Sequence, residues 1–83
     1  MFYVYVLYDK QTKKLYKGYT NNLKLRFEQH LKHKVKTTKN WKSIRLVYYE
    51  ACLNEFDARR REKYFKSHYG IMYLKHRLKS YFT

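Results

Sequence analysis

Phe2-Tyr3-Val4-Tyr5-Val6-Leu7-Tyr8 is an unbroken run of aromatic, β-branched and aliphatic side chains. It falls far short of the roughly 20 apolar residues that a membrane span needs, and its residue types favour extended backbone. Successive strand residues point to opposite faces, so a run that is apolar at both parities reads as a strand covered on both sides. The rest of the chain has little material for that cover: 83 residues make one small domain, expected over 1–83, with a thin margin of stability. Aromatic residues are 20% of the chain, with 11 Tyr and 5 Phe, and large rings let so short a sequence build a core. The same aromatic content excludes a disordered tail.

The polar stretch Asp9 to Lys14 predicts a hairpin loop, and Leu15-Tyr16-Lys17-Gly18-Tyr19 a returning second strand. Thr20-Asn21-Asn22 offers N-cap side chains for a helix running to about Lys32. Leu23, Phe27 and Leu31 at i, i+4 and i+8 form its expected core stripe, with Asn22, Arg26 and His30 on an adjacent one. A basic loop over 33–43 precedes a third strand from Ile44 to Ala51. Asn54 followed by Asp57 resembles a capping box opening a second helix to about Ser67, with Gly70 at a C′ position closing it. Ile71, Leu74, Leu78 and Phe82 give a final amphipathic helix. The order ββαβαα predicts an α/β (α+β) fold, a small three-stranded, at least partly antiparallel sheet flanked by helices.

Lys and Arg number 20 against 6 Asp and Glu, a formal net charge of +14. That density costs stability through self-repulsion. A polyanionic partner would offset the cost, and nucleic acid is the commonest polyanion in cells. One cysteine, Cys52, permits no intramolecular disulfide and fits a reducing compartment. The N-terminus lacks the basic leader of a signal peptide, so a cytoplasmic protein without membrane attachment is expected. His30 and His33 have helical spacing, but a single cysteine and unpaired His68 and His76 argue against a zinc site. Cys52 has no partnering histidine in view and is no nucleophile candidate.

Tyr3-Val4-Tyr5, then Tyr16-Lys17-Gly18 eleven residues after Tyr5, then Arg26 and His30, resembles the signature of the GIY-YIG nuclease superfamily. The likeness is to small single-domain members that are little more than the nuclease core. It continues through Leu15 to Lys24, Val47-Tyr48-Tyr49-Glu50 and Ala58-Arg59-Arg60-Arg61-Glu62-Lys63-Tyr64, and so spans nearly the whole chain. Two positions depart from the pattern: Tyr3 opens the first motif and Lys17 stands in the middle of the second. The resemblance implies a GIY-YIG-like fold and metal-dependent hydrolysis of phosphodiester bonds in DNA, by an endonuclease or nickase. Residue by residue it implies Tyr5, Tyr16, Gly18, Arg26 and His30 as site residues, and Glu62 as the ligand of Mg²⁺, with Mn²⁺ as a substitute.

The chemistry suits these residues. Phosphodiester hydrolysis needs an activated water, neutralised charge at phosphorus and help for the leaving oxygen. One Mg²⁺ supplies Lewis acidity and keeps several waters, so a single Glu is a sufficient protein anchor. Arg26 offers a planar fork to the scissile phosphate. Tyr16 or Tyr5 can activate water where cations favour the phenolate, and His30 can orient groups or shuttle a proton. Plainer roles stand beside these. Tyr5 and Tyr16 suit strand aromatics, Gly18 a close backbone approach, Arg26 a solvated helix charge, and Glu62 an ion pair among Arg59, Arg60, Arg61 and Lys63. In the basic loop, Lys34, Lys36, Lys39 and Lys42 interleaved with Trp41 suit phosphate contacts and base stacking, and Lys17 joins them as the expected DNA-tracking set. Two main function classes therefore stand, a metal-dependent DNA endonuclease and a catalytically silent nucleic-acid-binding module of the same fold, with a small ribosome- or RNA-associated protein as a weaker third. No separate recognition domain is visible, so specificity is expected from a protein partner or DNA shape, with a monomer as the default.

Overall fold

In the computed structural model, which describes residues 1–83, the apolar run is the central strand. β1 (Phe2–Asp9) lies between β2 (Lys14–Thr20) and β3 (Ile44–Cys52), antiparallel to both. The helices are α1 (Leu23–Leu31), α2 (Glu55–Phe65), α3 (His68–Arg77) and the single turn α4 (Lys79–Phe82). Alternation along β1 divides the core in two. Val4 and Val6 pack with Ala58, Phe65 and Leu74 on the α2–α3 side. Tyr5 and Leu7 pack with Trp41, Ile44, Leu23 and Phe27 on the α1 side. All four β1 side chains are fully buried, which is the two-sided cover the run demands.

Local chemistry sets the element ends. Asn22 Oδ1 accepts from Leu25 N at 3.1 Å to open α1, and Asn54 Oδ1 accepts from Phe56 N at 2.8 Å to open α2. Asp57 bonds Arg60 rather than reaching back to the cap, so the capping box is half made. Arg61 grips Glu50 through Nε and Nη2 at 2.9 and 3.1 Å and fastens α2 to β3. No helix is long and apolar enough to cross a membrane.

Three expectations are corrected. Gly70 does not close α2; it lies in the first turn of α3, where Ser67 Oγ accepts from its N–H at 3.2 Å. A Cβ there would fall on the Tyr64 carbonyl, so the glycine lets α3 start hard against the end of α2. The last amphipathic segment is two helices, broken at Leu78, which gives the order ββαβααα. Leu31 is 47% exposed while His30 is fully buried. The inward face of α1 is therefore rotated toward the polar stripe, because polar partners wait for His30 beneath it.

Candidate active site

Tyr5 on β1 points toward α1, and Gly18 on β2 is its cross-strand partner. A Cβ on Gly18 would collide with the Tyr5 ring. The missing side chain lets that ring lie across β2; the backbone needs no special conformation, since no glycine has positive φ. Tyr5 Oη lies 2.9 Å from His30 Nε2, and His30 Nδ1 lies 2.7 Å from Thr38 Oγ1. Arg26 Nε donates to Tyr5 Oη over a long 3.4 Å, and Arg26 Nη1 donates to Gln29 Oε1 at 3.1 Å. These bonds fix the guanidinium and leave Nη2 without a protein partner. The Tyr16 ring stands edge-on to His30 at 4.9 Å between centroids, and its hydroxyl lies close to Tyr5 and Arg26.

Tyr5, His30 and Thr38 are fully buried. Burial pushes the Tyr5 phenol well above its ordinary value, more than the bond from Arg26 pulls it back. A phenol so placed meets no water, so of the two tyrosines expected as base only Tyr16 is accessible. Burial, with the Arg26 charge adding to it, pushes the His30 imidazole down to about 4. The ring is neutral near pH 7, with one nitrogen donating and the other accepting. His30 thus joins Tyr5 to Thr38 and does not carry protons to solvent. Arg26 is held above its ordinary value, chiefly through its bond to Tyr5, and is a fixed cation beside the Tyr16 ring.

Thr38 was not among the expected site residues. It sits in the basic loop, where Thr38 N donates to Val35 O at 3.1 Å and Trp41 N to Thr38 O at 2.9 Å. Val35, Thr38 and Trp41 are the buried residues of this loop. Their three-residue spacing within a run of lysines was the available signal. Trp41 is 9% exposed and packs with Tyr5, Leu7 and Ile44. It is part of the core, so the expected stacking surface is corrected; Lys34, Lys36, Lys39 and Lys42 are exposed around it. Asp9, also unforeseen, ties the loop down. Its buried carboxylate accepts from Ser43 N at 2.9 Å and Thr12 Oγ1 at 2.8 Å. Burial raises that carboxyl, but the bonds from Thr12, Ser43 and Gln11 outweigh it and hold the group below the usual range.

Glu62 is not bonded to the tyrosine–histidine cluster. Helical spacing puts it with Arg59 and Lys66 on the β2 side of α2, where Arg59 covers the Tyr19 ring at 4.5 Å. Lys66 Nζ donates to Glu62 Oε2 at 3.2 Å, and the Glu62 side chain is 24% exposed. Lys17 is half-buried, its ammonium pushed down by burial and then by Lys66. A polar cleft of about 470 Å³ opens at the Thr20 end of β2, walled by Arg26 and Gln29 of α1 and by Glu55 and Arg59 of α2. No three His, Cys, Asp or Glu side chains cluster, which excludes a cage of protein ligands. One carboxylate with a free oxygen suits a hard, water-rich cation and does not suit zinc.

A family model described as the GIY-YIG catalytic domain matches residues 1–75. The chain is similar to a UPF0213 protein from Bacillus halodurans, solved in solution by NMR. The identity is 32%, over 89% of this chain and 82% of that one, with a TM-score of 0.55. No curated protein matches the sequence.

Proposed function

The chain belongs to the GIY-YIG family, nucleases that bind nucleic acid and generally depend on a divalent metal, and on that footing we propose that residues 1–83 are a single cytoplasmic domain hydrolysing phosphodiester bonds in DNA, as an endonuclease or nickase. One observation carries the reading. A half-buried arginine, bonded to Tyr5 and Gln29, lines a polar cleft and has the Tyr16 hydroxyl close to it.

In this reading Arg26 Nη2 binds a non-bridging oxygen of the scissile phosphate and offsets the negative charge that grows there during attack. Tyr16 is the residue that would accept the proton of the attacking water, with Arg26 as the adjacent cation. Tyr5, His30 and Thr38 are positioning residues: their buried bonds set the height and angle of the guanidinium and of the Tyr16 ring. Gly18 makes room for Tyr5. Glu62 is the residue that would hold Mg²⁺ or Mn²⁺, which when bound supplies Lewis acidity at the phosphate and the leaving oxygen. Lys34, Lys36, Lys39 and Lys42 track the DNA backbone, while a protein partner or DNA shape supplies specificity to a monomer.

A second reading, the catalytically silent binding module, is favoured by the engagement of Glu62 with Lys66. Cleavage of plasmid and of single-stranded, duplex and branched oligonucleotides with Mg²⁺, Mn²⁺ or chelator separates the two. Metal-dependent cutting that disappears in Arg26→Ala, Tyr16→Phe and Glu62→Ala supports the nuclease. Binding of every substrate without a cut under any metal establishes the silent module.

A further inference from the structure

At the end of β2 farthest from the cleft, Lys13 of the hairpin turn, Lys75 of α3 and Lys79 of α4 converge on one hollow of about 540 Å³, floored by Tyr8, Leu15 and Phe82. All three lysines are exposed. None takes part in any of the ion pairs, and no acidic side chain lines the hollow. Lys75 lies in the last turn of α3, a position that the helix dipole rewards. That does not account for Lys13, which reaches the same place from a different element through a residue at φ 61. Three like charges gathered at one hollow make a local excess of positive charge that favours an anionic partner. Tyr8 packs against Phe82 at 5.0 Å and Tyr81 at 6.1 Å, which fixes the α4 turn to the sheet and keeps the lysines together.

We infer that this hollow is a second anchoring site for DNA phosphates, on the β2 flank and separate from the cleft that Arg26 lines. The inference rests on the nucleic-acid reading given above and adds a direction to it. β2 runs from Lys14 to Thr20, so the lysines lie about 20 Å from the cleft at strand rise. DNA lying along this edge with a phosphate on Arg26 places another on the lysines about six nucleotides away.

The test is binding without cleavage. A labelled duplex long enough to span the edge is titrated in chelator between about 50 and 200 mM salt. The variant carries Lys13→Gln, Lys75→Gln and Lys79→Gln. Three lost phosphate contacts lower the slope of log affinity against log salt by about 2.7. Lys13→Arg, Lys75→Arg and Lys79→Arg together retain the wild-type slope, and Lys63→Gln, an exposed charge elsewhere, changes it little. The triple Gln variant unfolds at an equal or higher urea midpoint, because repulsion has been removed. An unchanged slope, with the wild type still binding DNA, overturns the inference and leaves the proposed function standing. A wild type that binds no DNA overturns both. A variant that loses binding to vesicles of anionic lipid while keeping its DNA slope assigns the lysines to a membrane surface instead and also overturns it.

Discussion

Replacing Gly18 with alanine separates two explanations of this glycine by the sign of one number. Gly18 lies inside β2 with φ in the ordinary range, so backbone entropy alone favours alanine by about 0.5–1 kcal/mol. Against that gain, the new methyl falls on the Tyr5 ring. The ring cannot easily yield, because its hydroxyl bonds His30 and Arg26 and its side chain is fully buried. Overpacking of this kind costs about 1–3 kcal/mol, and displacing the hydroxyl from His30 leaves buried groups unpaired at about 1–3 kcal/mol more. Only one of these two routes need be taken, so a cost of about 2 kcal/mol set against the entropic gain leaves an expected net loss of about 1 kcal/mol. Urea unfolding followed by fluorescence of Trp41, the one tryptophan and a core residue, reads it directly. In a Tyr5→Leu background the obstruction is absent, and Gly18→Ala should be neutral or slightly stabilising, a coupling of about 2 kcal/mol. A Gly18→Ala protein as stable as the wild type, or an equal change in both backgrounds, would refute the claim that Gly18 exists to seat Tyr5.

Three further outcomes follow from the same geometry. The folded His30 takes its proton at about 4 rather than 6.5, so between those values the unfolded chain binds the extra proton. Stability is then full above pH 6.5 and falls as pH drops toward 4, by at most about 3 kcal/mol. Urea midpoints measured across that range should fall with acid. The Asp9 contribution, from a depressed carboxyl, is present above its unfolded value and lost only at lower pH. Thr38→Val leaves His30 Nδ1 buried without a partner and should cost about 2 kcal/mol, while Thr38→Ser restores most of it; equal losses in both variants would place the effect in the methyl packing. Gly70→Ala drives a methyl into the Tyr64 carbonyl, a backbone atom that cannot rotate away. Chemical denaturation should show a loss of about 3 kcal/mol, against the gain of about 1 that an unobstructed helical Gly→Ala change brings.

Much of this fold was legible because its signals are local. The two-sided apolar run dictates a strand covered on both faces, the polar interval after Tyr8 a hairpin, and Asn22 and Asn54 the starts of α1 and α2. Each depends on contacts within a few residues of the chain. The motif order also assembled Tyr5, Tyr16, Gly18, Arg26 and His30 correctly as neighbours, since β2 pairs with β1 in a register that places Gly18 opposite Tyr5. Less legible was which face of α1 turns inward. The stripes through Leu23–Phe27–Leu31 and through Arg26–His30 are adjacent on a helix of 9 residues, and hydrophobicity alone prefers the first.

By itself, then, the sequence determined the strand order along the chain, the helix starts, the large positive charge and the family pattern, all of which are properties of neighbouring residues or of composition. Tertiary structure alone decided that a histidine rather than a leucine fills the space under α1, because burial of an imidazole is favourable only where distant groups satisfy both ring nitrogens. Tyr5 and Thr38, separated from His30 by 25 and 8 residues, do so. It also decided that Trp41 belongs to the core, that Gly70 serves a helix contact rather than a helix end, and that Lys13, Lys75 and Lys79 meet at one place. Each of these depends on where separate elements come to rest against one another, and packing at that range is set by the whole fold rather than by any short window of the chain.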